Sequence, residues 1–172
     1  MEERRVMELE RTLIVMKPDA VQRGIVGEIL QRFERVGLKI VGSKMVSPTY
    51  EHLFTHYETI GKMITRRGQE VFDDYMKYIT SGPVIAFVLE GVEAVAVVRK
   101  IVGATEPKAA DMGTVRGDYA HVSFGYASSK HKATPNLIHA SGDAKEATEE
   151  IAHWFRPEEL VSYDTVLEAF ER

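Results

Sequence analysis

Four short apolar runs and two amphipathic stretches fall in the order β-α-β-β-α-β. That order predicts an α/β chain folded as a ferredoxin-like sandwich on an antiparallel sheet, with added helices between the second and third strands. Residues 12–16 are apolar and β-branched, the mark of a buried strand. Val26, Ile29, Leu30, Phe33 and Val36 recur at helical spacing, and Gly37 follows as a stop. Residues 38–46 alternate loosely and end at Ser47-Pro48, as a second strand. The stretches 50–57 and 69–79 read as the added helices, with the polar segment 61–68 as a loop between them. Residues 83–90 form the clearest strand, with Pro83 at its first position, where a missing N–H costs least. Residues 93–102 read as the second crossover helix, 103–135 as a long irregular segment, 136–141 as a short strand and 144–155 as a final helix. A loop as long as 103–135 in one domain points to function or to disorder. A doubly wound parallel sheet is the competing arrangement.

The chain has 172 residues, a length that suits one domain. Its 44% hydrophobic and 28% charged residues exclude a disordered or collagen-like chain. The absence of cysteine excludes a disulfide scaffold, a thiol nucleophile and cysteine-ligated metal sites. A net charge of −4 does not supply the basic field of a general nucleic-acid coat, so any anionic ligand must meet a local cluster of cations. No apolar run approaches the ~20 residues that span a bilayer, and residues 1–10 lack the apolar core of a signal peptide. The expectation is a cytoplasmic protein with no membrane and no nucleic acid among its partners. A single asparagine, Asn136, hints at heat adaptation.

Two familiar motifs fail on context. Gly37 to Lys44 resembles a P-loop, but it leads from a helix into a strand, the reverse of what phosphate binding at a helix N-terminus needs. His52 and His56 stand four apart, as metal ligands do, yet no third ligand is near in sequence, so they read as a polar helix face. His121, His131 and His153 read as surface or structural residues. The constellation that stands out comes later: Gly113-Thr-Val-Arg-Gly-Asp118, Asn136-Leu-Ile-His-Ala-Ser141 and Glu149-Glu150. A strand holds His139 rigidly, Ser141 leaves the same strand face, and Glu150 on the next helix is placed to orient the ring. A core histidine with a helix cap at Ser141 is the bland alternative.

At these residues the chain resembles the nucleoside diphosphate kinases. The likeness runs from Glu10-Arg-Thr-Leu-Ile-Val-Met-Lys-Pro-Asp19 and Gln22-Arg-Gly-Ile-Val-Gly-Glu28 through His56-Tyr57, Ser81-Gly-Pro-Val84 and Gly103-Ala-Thr105. It continues through the two late motifs to Trp154-Phe-Arg-Pro-Glu-Glu-Leu160. The resemblance implies a kinase domain over residues 11–172 behind an N-terminal extension of residues 1–10. It implies transfer of the γ-phosphate of ATP to a nucleoside diphosphate, by a ping-pong route through a phosphohistidine at His139. A neutral imidazole, with an ordinary pKa of ~6.5, suits that role at neutral pH, and activity is expected to fall as the medium becomes acidic enough to protonate the nucleophile.

By the same resemblance Lys17, Arg99, Arg116 and Thr105 meet the phosphates, and Asn136 and Lys17 meet the sugar hydroxyls. Tyr57 lines the pocket, Glu150 orients the ring, and Mg²⁺ bridges the phosphates with no protein metal ligand named. The position of the family's base-stacking aromatic falls on Val71, with Phe72 next to it; stacking without hydrogen-bond readout implies broad base tolerance. The family's Asp after Ser141 is replaced by Gly142-Asp143, and two regions, 61–70 and 120–135, are longer than usual. The assembly implied is a homo-oligomer, a hexamer or a tetramer. A non-catalytic nucleotide-binding module on the same fold, and a nucleic-acid binder, are the alternatives from other classes.

Overall fold

The computed structural model describes residues 9–171. Residues 1–8, most of the expected N-terminal extension, lie outside the described residues. The strand β1 (Leu9–Met16) and the strand β3 (Val84–Val92) occupy the centre of a four-stranded sheet, with β2 (Lys39–Val46) and β4 (Ile138–Ala140) at the edges, in the order β2-β3-β1-β4. Every neighbouring pair is antiparallel. The predicted ferredoxin-like order is the one found, and the parallel alternative is excluded.

Both faces of the sheet are covered, which is why β1 reads as an uninterrupted apolar run rather than an alternating one. Ile14 and Met16 pack with Ile29 and Phe33 of helix α2 (Val26–Glu34) and with Val98 and Val102 of helix α6 (Ala94–Val102). Leu13 and Val15 pack on the opposite face. They meet Leu53 of α3 (Tyr50–Phe54), Phe72 and Met76 of α5 (Gln69–Ile79) and Trp154 of α9 (Ala144–Trp154). Among the described residues, no helix is long and apolar enough to cross a membrane.

Several short elements were not expected. Pro18–Gln22 forms α1, opened by a proline whose fixed φ suits a first helical position. The segment expected as a loop at 61–68 contains α4 (Met63–Arg67). The irregular stretch 103–135 contains the 3₁₀ turn Pro107–Ala109 and two helices, α7 (Val115–Tyr119) and α8 (Phe124–Ser129), capped by the side chains of Thr114 and Ser123. A further 3₁₀ turn, Pro157–Glu159, and α10 (Glu168–Glu171) end the chain.

The largest departure is the expected helix at 50–57. After α3 it widens into a π-helical turn over Thr55–Ile60, closed by a hydrogen bond from Gly61 N–H to His56 O of 3.1 Å. The wider turn changes which side chains face the sheet, and consecutive residues His56 and Tyr57 are both buried. Gly61 permits this closure, because a Cβ there would stand 2.8 Å from Tyr57 O and 3.2 Å from His56 O. Gly61→Ala is therefore expected to destabilise the fold by about 1–3 kcal/mol. Denaturant midpoints measure the effect, and an unchanged midpoint would show that the turn relaxes freely.

Candidate active site

The three residues of β4 alternate across the sheet edge. Ile138 enters the layer of α2 and α6, so His139 faces the layer of α9, and Ser141 follows it on that side. Glu150, buried on α9, meets both. Its Oε1 lies 2.8 Å from His139 Nε2, and its Oε2 accepts from the Ser141 hydroxyl at 2.7 Å. The contact with Nε2 is oblique, a close charge contact rather than a linear hydrogen bond. Ser141 Oγ in turn accepts from Leu13 N–H at 3.2 Å, which ties the pair to β1. With Nε2 facing a carboxylate, Nδ1 is the ring nitrogen left with no protein partner among the described residues.

The approach to β4 is strained. Ile138 N–H bonds to Asn136 O at 2.8 Å across Leu137, whose φ is 72°. This is the uncommon form of three-residue turn, costly for a residue with a Cβ, and it is held by its surroundings. Leu137 is fully buried, and its N–H donates to Asp19 Oδ2 at 3.1 Å. Arg116, from α7, spends two donors on the same segment, to Asn136 O at 3.1 Å and to Ile138 O at 2.6 Å, and a third ties it to the end of α6, to Gly103 O at 3.0 Å. Its approach depends on Gly117, since a Cβ there would meet Asp111 O at 2.0 Å.

His139 opens on a cavity of about 960 Å³, large enough for a nucleotide. Lys17, Tyr57, Val71, Arg99, Thr105, Arg116, Asn136 and Glu150 all line it, while Ser141 supports it from behind Glu150. Lys17 Nζ donates to Asn136 Oδ1, and Asn136 Nδ2 donates to Thr105 O at 2.9 Å, so these three form one network. Burial, then the nearby charge of Arg116, lowers the Lys17 pKa to about 7, against a smaller opposing pull from Asp19. Burial, with Arg99 close by, lowers that of Arg116 to about 10, still charged at neutral pH. Arg99 is exposed on α6 with no acidic partner among the described residues.

Val71 and Phe72 differ in packing. Val71 is 42% exposed on the cavity wall, and Phe72 is fully buried beside Met76. An aromatic ring enters the cavity wall instead from α8, at Phe124, with the Arg67 guanidinium 5.0 Å from its centroid. Glu70 and His131 meet at 3.1 Å, so the two long regions touch each other beside the cavity.

Asp143 does not replace the missing carboxylate after Ser141. It caps α9 by accepting from Glu146 N–H at 2.8 Å, while the Glu146 side chain lines the cavity and accepts from Gly142 N–H at 2.6 Å. The polar-face reading of the paired histidines is overturned: His56 is fully buried beside His139, with ring centroids 4.5 Å apart. His52 stacks on His153 at 4.0 Å. No spacing rule reveals this, because the π-helical turn breaks the helical period.

The family model described as nucleoside diphosphate kinase matches residues 10–160. The chain belongs to that family. It is 43% identical over 157 residues to the nucleoside diphosphate kinase of Borreliella burgdorferi, covering 91% of this chain and 93% of that one. With the enzyme of Pyrococcus furiosus it shares 46% identity over 165 residues, 96% and 94% of the two chains. Among solved structures, a transition-state mimic of the Borrelia burgdorferi nucleoside-diphosphate kinase with bound vanadate and ADP superposes with a TM-score of 0.91. That pair is 42% identical and covers 95% and 96% of the two chains. The Halobacterium salinarum enzyme in complex with CDP gives a TM-score of 0.81 at 38% identity, covering 96% and 99%. The chain is thus a nucleoside-diphosphate kinase, a phosphotransferase.

Proposed function

We propose that the chain transfers the γ-phosphate of ATP to a nucleoside diphosphate in two steps, with His139 Nδ1 as the phosphate carrier. The observation that supports this most is the placement of Glu150 against Nε2, which commits the ring proton to that nitrogen and leaves the Nδ1 lone pair for attack. In the first step Nδ1 bonds to the γ-phosphorus, and the bond from phosphorus to the β–γ bridging oxygen breaks, its electron pair leaving on ADP. The phosphorylated ring is cationic, and the Glu150 carboxylate offsets that charge. In the second step a terminal oxygen of another nucleoside diphosphate takes the phosphoryl group, and the N–P bond breaks.

Phosphoryl transfer calls mainly for positioning and for charge neutralisation on the equatorial oxygens. Lys17, Arg99 and Arg116, with the Thr105 hydroxyl, supply those on the cavity wall. Asn136 and Lys17 are read as the ribose contacts, and Tyr57 as a wall beside the ring. Mg²⁺ fits the site as a companion of the nucleotide: the lining offers hard carboxylate oxygens at Glu70, Asp74 and Glu146 but no closed oxygen cage. Bound with the nucleotide, it would neutralise phosphate charge, and Glu146 is the lining carboxylate that would hold it through water. The proposal also includes a kinase domain over residues 11–172, a homo-oligomer, hexameric or tetrameric, and a cytoplasmic location.

Incubation with γ-labelled ATP and Mg²⁺, followed by an alkaline quench, is expected to leave acid-labile label on the chain that GDP discharges. His139→Ala should carry none. Label that persists in His139→Ala would move the carrier elsewhere, and a folded wild type without label would leave only a nucleotide-binding module. Val71→Phe is expected to lower the dissociation constant for ADP by roughly 2–10-fold, the worth of one aromatic stack. An unchanged constant would mean that the base lies elsewhere, with Phe124 the next ring to test.

A further inference from the structure

The cluster beneath the nucleophile has the composition of a zinc site. His56, His139 and Glu150 each offer a ligand atom, and these atoms lie within 4.8 Å of one another. Two histidines and a glutamate form a common zinc ligand set. Glu150 Oε1 stands 2.8 Å from His139 Nε2 and 3.8 Å from His56 Nε2, and neither nitrogen makes a hydrogen bond. A metal held there would draw electron density from the ring that must act as nucleophile, so something must prevent capture.

A residue packed behind the cluster supplies the answer. Trp154 Nε1 lies 3.0 Å from His56 Nδ1. An indole nitrogen is always a donor and never an acceptor, so His56 Nδ1 must carry the lone pair. A neutral imidazole has one proton, which then sits on Nε2, facing Glu150. A histidine that binds metal does the reverse: it presents a bare nitrogen to the ion and donates through the other. For His56 to bind through Nε2, its Nδ1–H would have to face the indole N–H, and both donors would lose their partner inside the core.

We propose that Trp154 is a positioning residue that locks the tautomer of His56, making His56 a proton donor toward Glu150 and an unfit ligand for zinc. The Glu150 carboxylate then faces three donors, from Ser141, His139 and His56, and is held against His139. The ring of His56 stays neutral for the same physical reason that it is buried. Desolvation first, then the nearby His139, His153, His52 and Lys17, hold its pKa well below the ordinary imidazole value. The kinetic consequence rests on His139 as the phosphate carrier; the tautomer and its effect on metal binding do not.

The test begins on the wild-type protein labelled with ¹⁵N-histidine, with the His56 signals assigned by their loss in His56→Phe. At pH 7.5 His56 is expected to show a protonated Nε2 and a bare Nδ1, and equimolar Zn²⁺ should leave both unmoved. The opposite tautomer, or a zinc-induced shift at His56, overturns the proposal. Trp154→Phe keeps a ring in the core but removes the donor. It is expected to populate the second tautomer and to bind Zn²⁺ at least tenfold more tightly, measured against a chromophoric chelator without nucleotide. The gain should vanish in Trp154→Phe/His56→Phe. Equal zinc affinity in the wild type and a folded Trp154→Phe would also sink it. If His139 never carries phosphate while His56 shows the locked tautomer, the catalytic reading fails and this one stands.

Discussion

Glu150→Gln is expected to lower kcat by about 10²–10⁴-fold while leaving the KM for nucleotide within about threefold; a loss of about 10⁴ is what an orienting carboxylate made an amide costs in a serine protease triad. The carboxylate accepts from Ser141 at 2.7 Å and faces His139 Nε2 at 2.8 Å, and it makes no ion pair with Lys17, Arg99 or Arg116 among the described residues. An amide has one acceptor and one donor where the carboxylate has two acceptors. If the amide oxygen faces Ser141, its NH₂ faces His139 Nε2. The ring proton must then move to Nδ1, and the attacking lone pair is lost. If the oxygen faces His139, the NH₂ meets the Ser141 hydroxyl, which must turn from Glu150 toward Leu13 O, 3.4 Å away. Even then a ring phosphorylated at Nδ1, as proposed, would lack a counter-charge.

Single-turnover labelling separates these outcomes from a binding defect. The rate of phosphoenzyme formation should fall in parallel with kcat, and ADP affinity should hold. A Glu150→Gln protein that labels at the wild-type rate would show that the carboxylate only fills space. Ser141→Ala should follow the same direction with a smaller loss, because it removes one hydrogen bond and leaves the charge.

The parts legible in the sequence are those with a period or a fixed offset. The apolar run of β1, the helical spacing of α2 and the length of α5 each reflect burial on a defined face. The meeting of His139, Ser141 and Glu150 follows from two-residue alternation on a strand and one helix packed behind it. The parts that were not legible have no period. The π-helical turn brings His56 inward because its register slips between regular turns, and sequence spacing assumes that none does. The helices α7 and α8 are five and six residues long, too short for an amphipathic pattern, though the caps Thr114 and Ser123 were signals available to find them. Phe124 and Arg67 met across two long segments, a tertiary pairing that neither segment encodes alone. Asp143 stands one position past the family's carboxylate and proves to be a helix cap, a distinction that sequence does not make because an N-cap and a functional carboxylate are the same letter.

Nucleotide binding is expected to take up close to one proton at pH 8, and Lys17 is the group that takes it. Burial lowers its pKa to about 7 in the free protein, so above that pH most of the amines are neutral. The phosphates of a bound nucleotide favour the ammonium form and raise the value. Binding and protonation are therefore linked: affinity should be nearly flat below pH 7 and fall as pH rises above it, by up to about tenfold per unit, until the bound-state value is reached. The sign for folding follows from the same group. An unfolded lysine titrates near 10.5, so between about pH 7 and 10.5 the unfolded chain holds a proton that the folded chain has lost, and this lysine's contribution to stability rises with pH across that window. Calorimetry of ADP binding at pH 8 in two buffers of different ionisation heat reads the proton uptake directly. It should approach one in the wild type and vanish in Lys17→Met, with the pH slope of affinity flattening to match. Zero uptake in the wild type would mean that Lys17 is already charged before the nucleotide arrives, with Asp19 and the Asn136 oxygen outweighing burial.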